Sequence, residues 1–161
     1  MRNTQAALVW ITQILERFGI PYQIAGGLAA NAYGVKRELA DIDIDIPQKD
    51  FDKILNSVKE TILFGPAHYK DEHWDLYMLT LCYQEQEIDI TSADNIKIFN
   101  PLTGVWETLD TDFSKSTFKE VMGVWVPVIP KEDLLYYKRI LKRPVDLLDI
   151  AGMEDTINSE A

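Results

Sequence analysis

Leu8, Ile11, Leu15 and Phe18 recur at helical spacing, Asn3 or Thr4 can cap the start, and Gly19 stops the pattern. An amphipathic helix over residues 3–18 is predicted. After the Gly19-Ile20-Pro21 break, the mainly apolar run 22–25 reads as a strand, Gly26-Gly27 as a tight turn, and residues 28–33 as a helix closed by Gly34. Residues 41–46 alternate strictly between aspartate and isoleucine, the period of two that belongs to a strand, and Pro47 ends it. Phe51, Ile54, Leu55 and Val58 then return to helical spacing within 49–58.

The second half begins with a polar stretch, 65–74, that holds both histidines and is expected to be a loop. Residues 76–83 and 87–91 read as antiparallel strands joined near Gln84-Glu85-Gln86. Asn100-Pro101 and Thr103-Gly104 signal turns, and 117–121 with 124–129 form a second hairpin in which Pro127 implies an edge strand. Residues 132–141 and 145–153 are helical on either side of Arg143-Pro144, with a frayed tail from Glu154. The expected fold class is α/β: a small mixed sheet with flanking helices and a short C-terminal helical segment. Without internal repeats or linkers, residues 1–161 read as one domain, with a core over about 20–92, a hairpin extension over about 100–130 and C-terminal helices over about 131–153.

Composition narrows the function classes. A chain of 161 residues that is 47% hydrophobic can bury a core without disulfides or a structural metal, and its single cysteine, Cys82, cannot form an internal disulfide. Lysine and arginine total 16 against 26 acids, a net charge of −10, which repels nucleic-acid backbones and anionic lipid surfaces. No apolar run reaches the length of a membrane helix or a signal peptide, so neither nucleic acid nor membrane is an expected partner and a cytoplasmic location is the expectation.

The alternation at 41–46 carries the chemistry. Asp41, Asp43 and Asp45 share one strand face while Ile42, Ile44 and Ile46 fix the register on the other. Adjacent carboxylates repel one another, and hard carboxylate oxygens suit magnesium, which commonly links protein carboxylates to substrate phosphates. Glu87-Ile88-Asp89-Ile90 repeats the pattern and offers a further carboxylate, and Gly26-Gly27 opens a helix where backbone can approach a phosphate closely. The alternative is a solvated acidic edge strand. An EF-hand loop counted from Asp41 needs glycine sixth and glutamate twelfth, where Ile46 and Asp52 stand. A dehalogenase-type phosphatase needs an apolar strand before the acids, where Lys36-Arg37-Glu38-Leu39-Ala40 stands. His68 and His73 lack a cysteine partner for zinc, and Trp10, Trp106 and Trp125 show no spacing that links them to the acids.

Gly26-Gly27, thirteen intervening residues, Asp41-Ile42-Asp43-Ile44 and a later strand aspartate, Asp89, resemble the nucleotidyltransferase superfamily related to DNA polymerase β. The segment Tyr33-Gly34-Val35-Lys36-Arg37 and the C-terminal Glu132-Asp133-Leu134-Leu135, Lys138, Arg143-Pro144, Asp146 and Asp149-Ile150 are similar to its small bacterial members. The resemblance implies that Asp41, Asp43 and Asp89 hold magnesium, two ions in all, with Asp89 also the general base. It implies that Gly26 and Gly27 hold the triphosphate of an NTP, ATP foremost, and that Lys138 contacts phosphates or an acidic partner. Lys36 and Arg37, on the connection between the glycine turn and the acidic strand, are placed to meet phosphate oxygens, Arg37 being the nucleotide-binding candidate, with a solvated basic pair as the alternative. The acceptor would be a hydroxyl of a small molecule or a protein, contacted from the 65–74 stretch through His68, Tyr69, His73 and Trp74, with surface or packing roles for these as the alternative. The partner would be a second copy or a toxin–antitoxin mate. A non-catalytic antitoxin or regulatory module on the same scaffold is the alternative function.

Overall fold

The computed structural model describes residues 2–160, with side chains through Glu154. Among the described residues, five α-helices accompany one mixed sheet. Helix α1, Thr4–Arg17, is capped by the Asn3 side chain, which accepts from the Ala6 amide, and it buries Leu8, Ile11 and Leu15. Strand β1, Gln23–Ala25, runs straight into α2, Gly26–Ala32. Strand β2, Asp41–Ile46, precedes α3, Phe51–Val58. Helices α4, Lys131–Leu141, and α5, Pro144–Glu160, pack on each other near the C-terminus.

With β3 at Ile62–Lys70, β4 at Trp74–Tyr83, β5 at Gln86–Ser92, β6 at Ile96–Asn100, β7 at Val105–Leu109, β8 at Thr117–Val121 and β9 at Val124–Val128, the strand order is β7-β6-β4-β5-β2-β1-β9-β8, with β3 attached to β4. Two of these strands match the sequence expectation within a residue or two, β4 at Trp74–Tyr83 and β5 at Gln86–Ser92. Their two-residue turn puts Gln84 and Glu85 at positive φ, the geometry that suits the twist of a tight hairpin. β8, Thr117–Val121, and β9, Val124–Val128, form the expected second hairpin. β9 nonetheless lies inside the sheet, because its other side joins β1 at Ile24 and Val128. Pro127 is outside that pairing, so the missing N–H breaks no bond with β1 and the strand need not be an edge.

Three strands escape the sequence pattern. The expected loop 65–74 is mostly strand: β3 spans Ile62–Lys70 and pairs with β4, with register shifts around Phe64 and Ala67, leaving only the connection at residues 71–73. β6, Ile96–Asn100, and β7, Val105–Leu109, form a hairpin around the recognised turn signals. The described residues contain no helix long and apolar enough to cross a membrane.

The core lies on the isoleucine side of β2 and β5. Ile42, Ile44, Ile46, Ile88 and Ile90 are fully buried with Leu8, Ile11 and Leu15 of α1 and Phe51 and Ile54 of α3. Burying an aliphatic side chain contributes about 1.5–3 kcal/mol, so a one-residue slip that exposed these isoleucines would forfeit most of that core. The register is thereby fixed, and the carboxylates are committed to the other face.

Candidate active site

Four strands build the acidic face. In register across β1, β2, β5 and β4 lie Ala25, Asp43, Asp89 and Thr80, and the next row places Asp41, Glu87 and Cys82 side by side. Residues paired this way present their side chains on one face. Cys82 is therefore half-buried beside Glu87 rather than in the core, a correction to the reading of a small core hydrophobe. The third aspartate of the run, Asp45, is 8% exposed and accepts from Gln23 Nε2 at 2.9 Å.

One carboxylate oxygen from each of Asp41, Glu87 and Asp89 lies within 4.8 Å of the others, and no ion pair among the described residues involves these three or Asp43. Burial and mutual repulsion therefore act almost unopposed. Burial, reinforced by Asp41, Asp89 and Asp45, pushes the Asp43 carboxyl well above the ordinary range, although Lys138 pulls it partly back. Asp89 is pushed up to about 7, chiefly by burial, against the hydrogen bond from Thr80 and with the charges of Asp41 and Glu87 adding to the rise. Burial raises Asp45 to about 6. A cluster that holds protons this strongly has the charge deficit and the hard oxygen donors that fit a divalent cation.

The glycine turn is pressed against this cluster. Gly26 has φ +60°, and a Cβ there would sit 2.0 Å from Asp43 Oδ2, so both the backbone conformation and the space require glycine. Its N–H donates to the Tyr137 hydroxyl at 2.8 Å, an attachment between the turn and α4 that sequence spacing does not reveal. A Cβ on Gly27 would meet the Arg37 guanidinium at 2.6 Å. Both glycines thus accommodate neighbouring side chains.

Arg37 and Lys138 lie beside the acidic face, each already paired. Arg37 grips Asp149 with two parallel hydrogen bonds of 2.7 and 2.9 Å. Lys138, 2% exposed, sits 3.2 Å from Asp146 and 2.9 Å from Asp149, and Arg143 holds Asp146 from the other side at 2.7 Å. Three cations on two carboxylates leave an excess of one positive charge behind the glycine turn. Asp146 and Asp149 fall below the ordinary carboxylate range although burial opposes it, because hydrogen bonds and charge from these cations outweigh desolvation.

The acidic face, the glycine turn and the cations Arg37, Lys138 and Arg143 border a cleft of about 860 Å³, with Asp146 and Asp149 behind its wall. It is also lined by the exposed aromatic pair Phe64 and Tyr69 and by Trp74, Asp71, Asp110 and Asp112. Tyr69 and Trp74 belong to the 65–74 segment that the sequence marks as an acceptor contact, whereas Phe64, before it on β3, carries no such signal. His68 and His73 do not line the cleft: His68 pairs with Asp75 and His73 lies 3.4 Å from Glu72. Trp10 stacks on Tyr83 with ring centres 4.3 Å apart, and Trp125 stays exposed beside Phe118.

No family model and no curated protein matches this chain. Solved structures do. A candidate nucleotidyltransferase from Thermotoga maritima is 21% identical with a TM-score of 0.65, the match covering 99% of this chain and 97% of that one. The lincosamide antibiotic adenylyltransferase LnuA, in its lincomycin-bound form, is 20% identical with a TM-score of 0.66 over 97% of this chain and 99% of its own. ANT(2″)-Ia in complex with adenylyl-2″-tobramycin is 19% identical with a TM-score of 0.60 over 99% and 91%. With its sheet matched along nearly the whole length of these structures, the chain carries the nucleotidyltransferase fold.

Proposed function

We propose that the protein is a metal-dependent nucleotidyltransferase that moves a nucleoside monophosphate from an NTP, ATP foremost, to an acceptor hydroxyl and releases pyrophosphate. The observation that carries this reading is the cation-free group of carboxylates on β2 and β5 beside a glycine turn, at the base of a cleft large enough for a nucleotide and an acceptor. Asp41 and Asp89 would hold magnesium together with Glu87, whose carboxylate oxygen lies within 4.8 Å of theirs, and Asp43, in register with Asp89, would add a ligand from β2. Bound there, magnesium supplies charge neutralisation for the triphosphate and for the attacking and leaving oxygens.

The chain's own groups divide the remaining work. Gly26 makes room for Asp43 and Gly27 for Arg37, so the turn's backbone and both side chains stand together where the triphosphate would bind. The excess positive charge of the Arg37, Lys138 and Arg143 network faces the phosphates without a direct contact from the buried lysine. Asp89, on the same face, takes the proton from the acceptor hydroxyl. The acceptor oxygen then bonds to the α-phosphorus as the bond to pyrophosphate breaks in line.

The cleft lining favours a small-molecule acceptor that carries positive charge. Asp71, Asp110 and Asp112 attract amines, and the faces of Phe64 and Tyr69 suit a cation or an apolar ring. The structures of LnuA and ANT(2″)-Ia contain lincomycin and an adenylylated tobramycin, which is consistent with this choice. The test is pyrophosphate release from each NTP with magnesium across a panel of hydroxyl compounds with and without amino groups. Metal-dependent release with an amino-hydroxyl compound is the expected result; no release with any acceptor would overturn the reading.

A second reading, a non-catalytic regulatory or antitoxin module, draws on the exposed Phe118 and Trp125 of the β8–β9 hairpin, which offer a protein contact. It predicts a partner that co-purifies stably and no turnover under any condition.

A further inference from the structure

On the acidic face, Gln23 donates to Asp45 and Thr80 donates to Asp89, one of the carboxylates of the proposed metal site. β4 and β5 pair in register so that Thr80 stands opposite Asp89, and the Thr80 hydroxyl donates to Asp89 Oδ1 at 2.9 Å. Its neighbours on the same face of β4 are Met78 and Cys82, a thioether and a thiol that offer no comparable hydrogen bond. Among the described residues, no cation pairs with Asp89, and its carboxyl has two side-chain hydrogen-bond partners, the Thr80 hydroxyl and the Asp41 carboxyl. Asp41 and Glu87 lie close to Asp89 but, as carboxylates, can only repel it or share a proton with it.

We propose that Thr80 is the positioning residue of the site. By occupying Oδ1 it fixes the rotation of the Asp89 carboxylate and turns Oδ2 toward Asp41 and Glu87, the side on which a metal ion binds. The inference rests on the metal-dependent reading above. Two properties suit Thr80 to this task. Its β-branched side chain has few χ1 states, and its strand is bonded to β3 on one side and to β5 on the other, so the hydroxyl sits on a stiff support. A metal-binding carboxylate held by such a hydrogen bond is organised before the ion arrives, and loss of such an outer contact typically costs ~10–100-fold in metal affinity or activity.

The test uses manganese alone, titrated calorimetrically into the full chain without nucleotide, together with steady-state kinetics. Thr80→Val and Thr80→Ala remove the hydroxyl with different shapes, and Thr80→Ser keeps it. Both hydroxyl-free variants should bind manganese about tenfold more weakly and lose kcat with little change in KM for the NTP, while Thr80→Ser stays within about twofold of the parent. A purely structural role would lower the melting temperature yet leave manganese affinity intact. Parental affinity in Thr80→Val and Thr80→Ala, or a serine variant as weak as valine, would overturn the assignment of Thr80 alone. Asp89→Asn separates the two levels: if it binds manganese as tightly as the parent, the metal reading and the Thr80 proposal both fall.

Discussion

Two sets of carboxylates, one on the cleft and half-buried except at Asp45, the other fully buried behind its wall, behave in opposite ways. On β2 and β5, Asp43, Asp45, Glu87 and Asp89 face one another and all hold their protons more tightly than a free carboxylate does. On α5, Asp146 and Asp149 are fully buried yet hold theirs less tightly, because Arg37, Lys138 and Arg143 are bonded to them. Burial opposes charge in both places, so the difference lies in whether the chain supplies cations. Where it does, the acids are structural. Where it does not, the face is prepared for a cation from outside.

The largest effect should come from removing the unpaired set. Asp41→Asn/Asp43→Asn should lose several kcal/mol of transition-state stabilisation, roughly a thousandfold in turnover, without lowering the melting temperature of the metal-free protein. A fall in stability equal to the loss of activity would erase the contrast. Lys138→Met attacks the paired set. It leaves Asp146 and Asp149 buried with reduced compensation, and a loss of about 3 kcal/mol in urea unfolding is expected, at the low end for a broken buried pair because both arginines remain.

Gly26→Ala probes the boundary between the two sets. The left-handed backbone and the overlap with Asp43 should together cost about 2 kcal/mol, measured by urea denaturation, and should displace Asp43 from its place beside the turn. The smallest effect is in pH. A carboxyl whose folded affinity is raised, such as Asp89 at about 7, stabilises the metal-free fold fully below the unfolded value near ~4, and this contribution is lost as pH rises toward 7. Asp146 and Asp149 act in the opposite sense, their contribution present above ~4 and lost as pH falls below it. The metal-free melting temperature should therefore fall between pH 5 and 8 by the equivalent of about 1 kcal/mol, allowing for the partial exposure of Asp89, and magnesium should raise it more at pH 8 than at pH 5. A rise from pH 5 to 8 would contradict the contrast.

The acidic half was legible in the sequence and the paired half was not. Strict alternation at 41–46 and 87–90 dictates both strand geometry and a shared carboxylate face, since only one register buries the isoleucines. The contacts of Arg37 and Lys138 depend on α5, a helix that turns Asp146 and Asp149 inward and Leu147 and Leu148 outward. A helix with acids inside has no amphipathic signature pointing at the core, and the Arg37–Asp149 pair spans 112 residues. β3 was hidden for a local reason: Gly65-Pro66 interrupts it at a register shift, and its mixture of exposed and half-buried positions shows no period of two. Phe64 was concealed with it, while Tyr69, from the segment marked as an acceptor contact, does line the cleft. Thr80 was visible as a strand residue, but only the register between β4 and β5 places it on Asp89.

The most direct measurement is calorimetric titration of each of the four NTPs, with and without magnesium, into the protein and into Asp41→Asn/Asp43→Asn. If the cation-free face is the nucleotide site, at least one NTP binds only with magnesium, and that binding disappears in the double variant. Binding that is equal without magnesium, or unchanged in the double variant, would show that the carboxylates of β2 are not where the nucleotide is held.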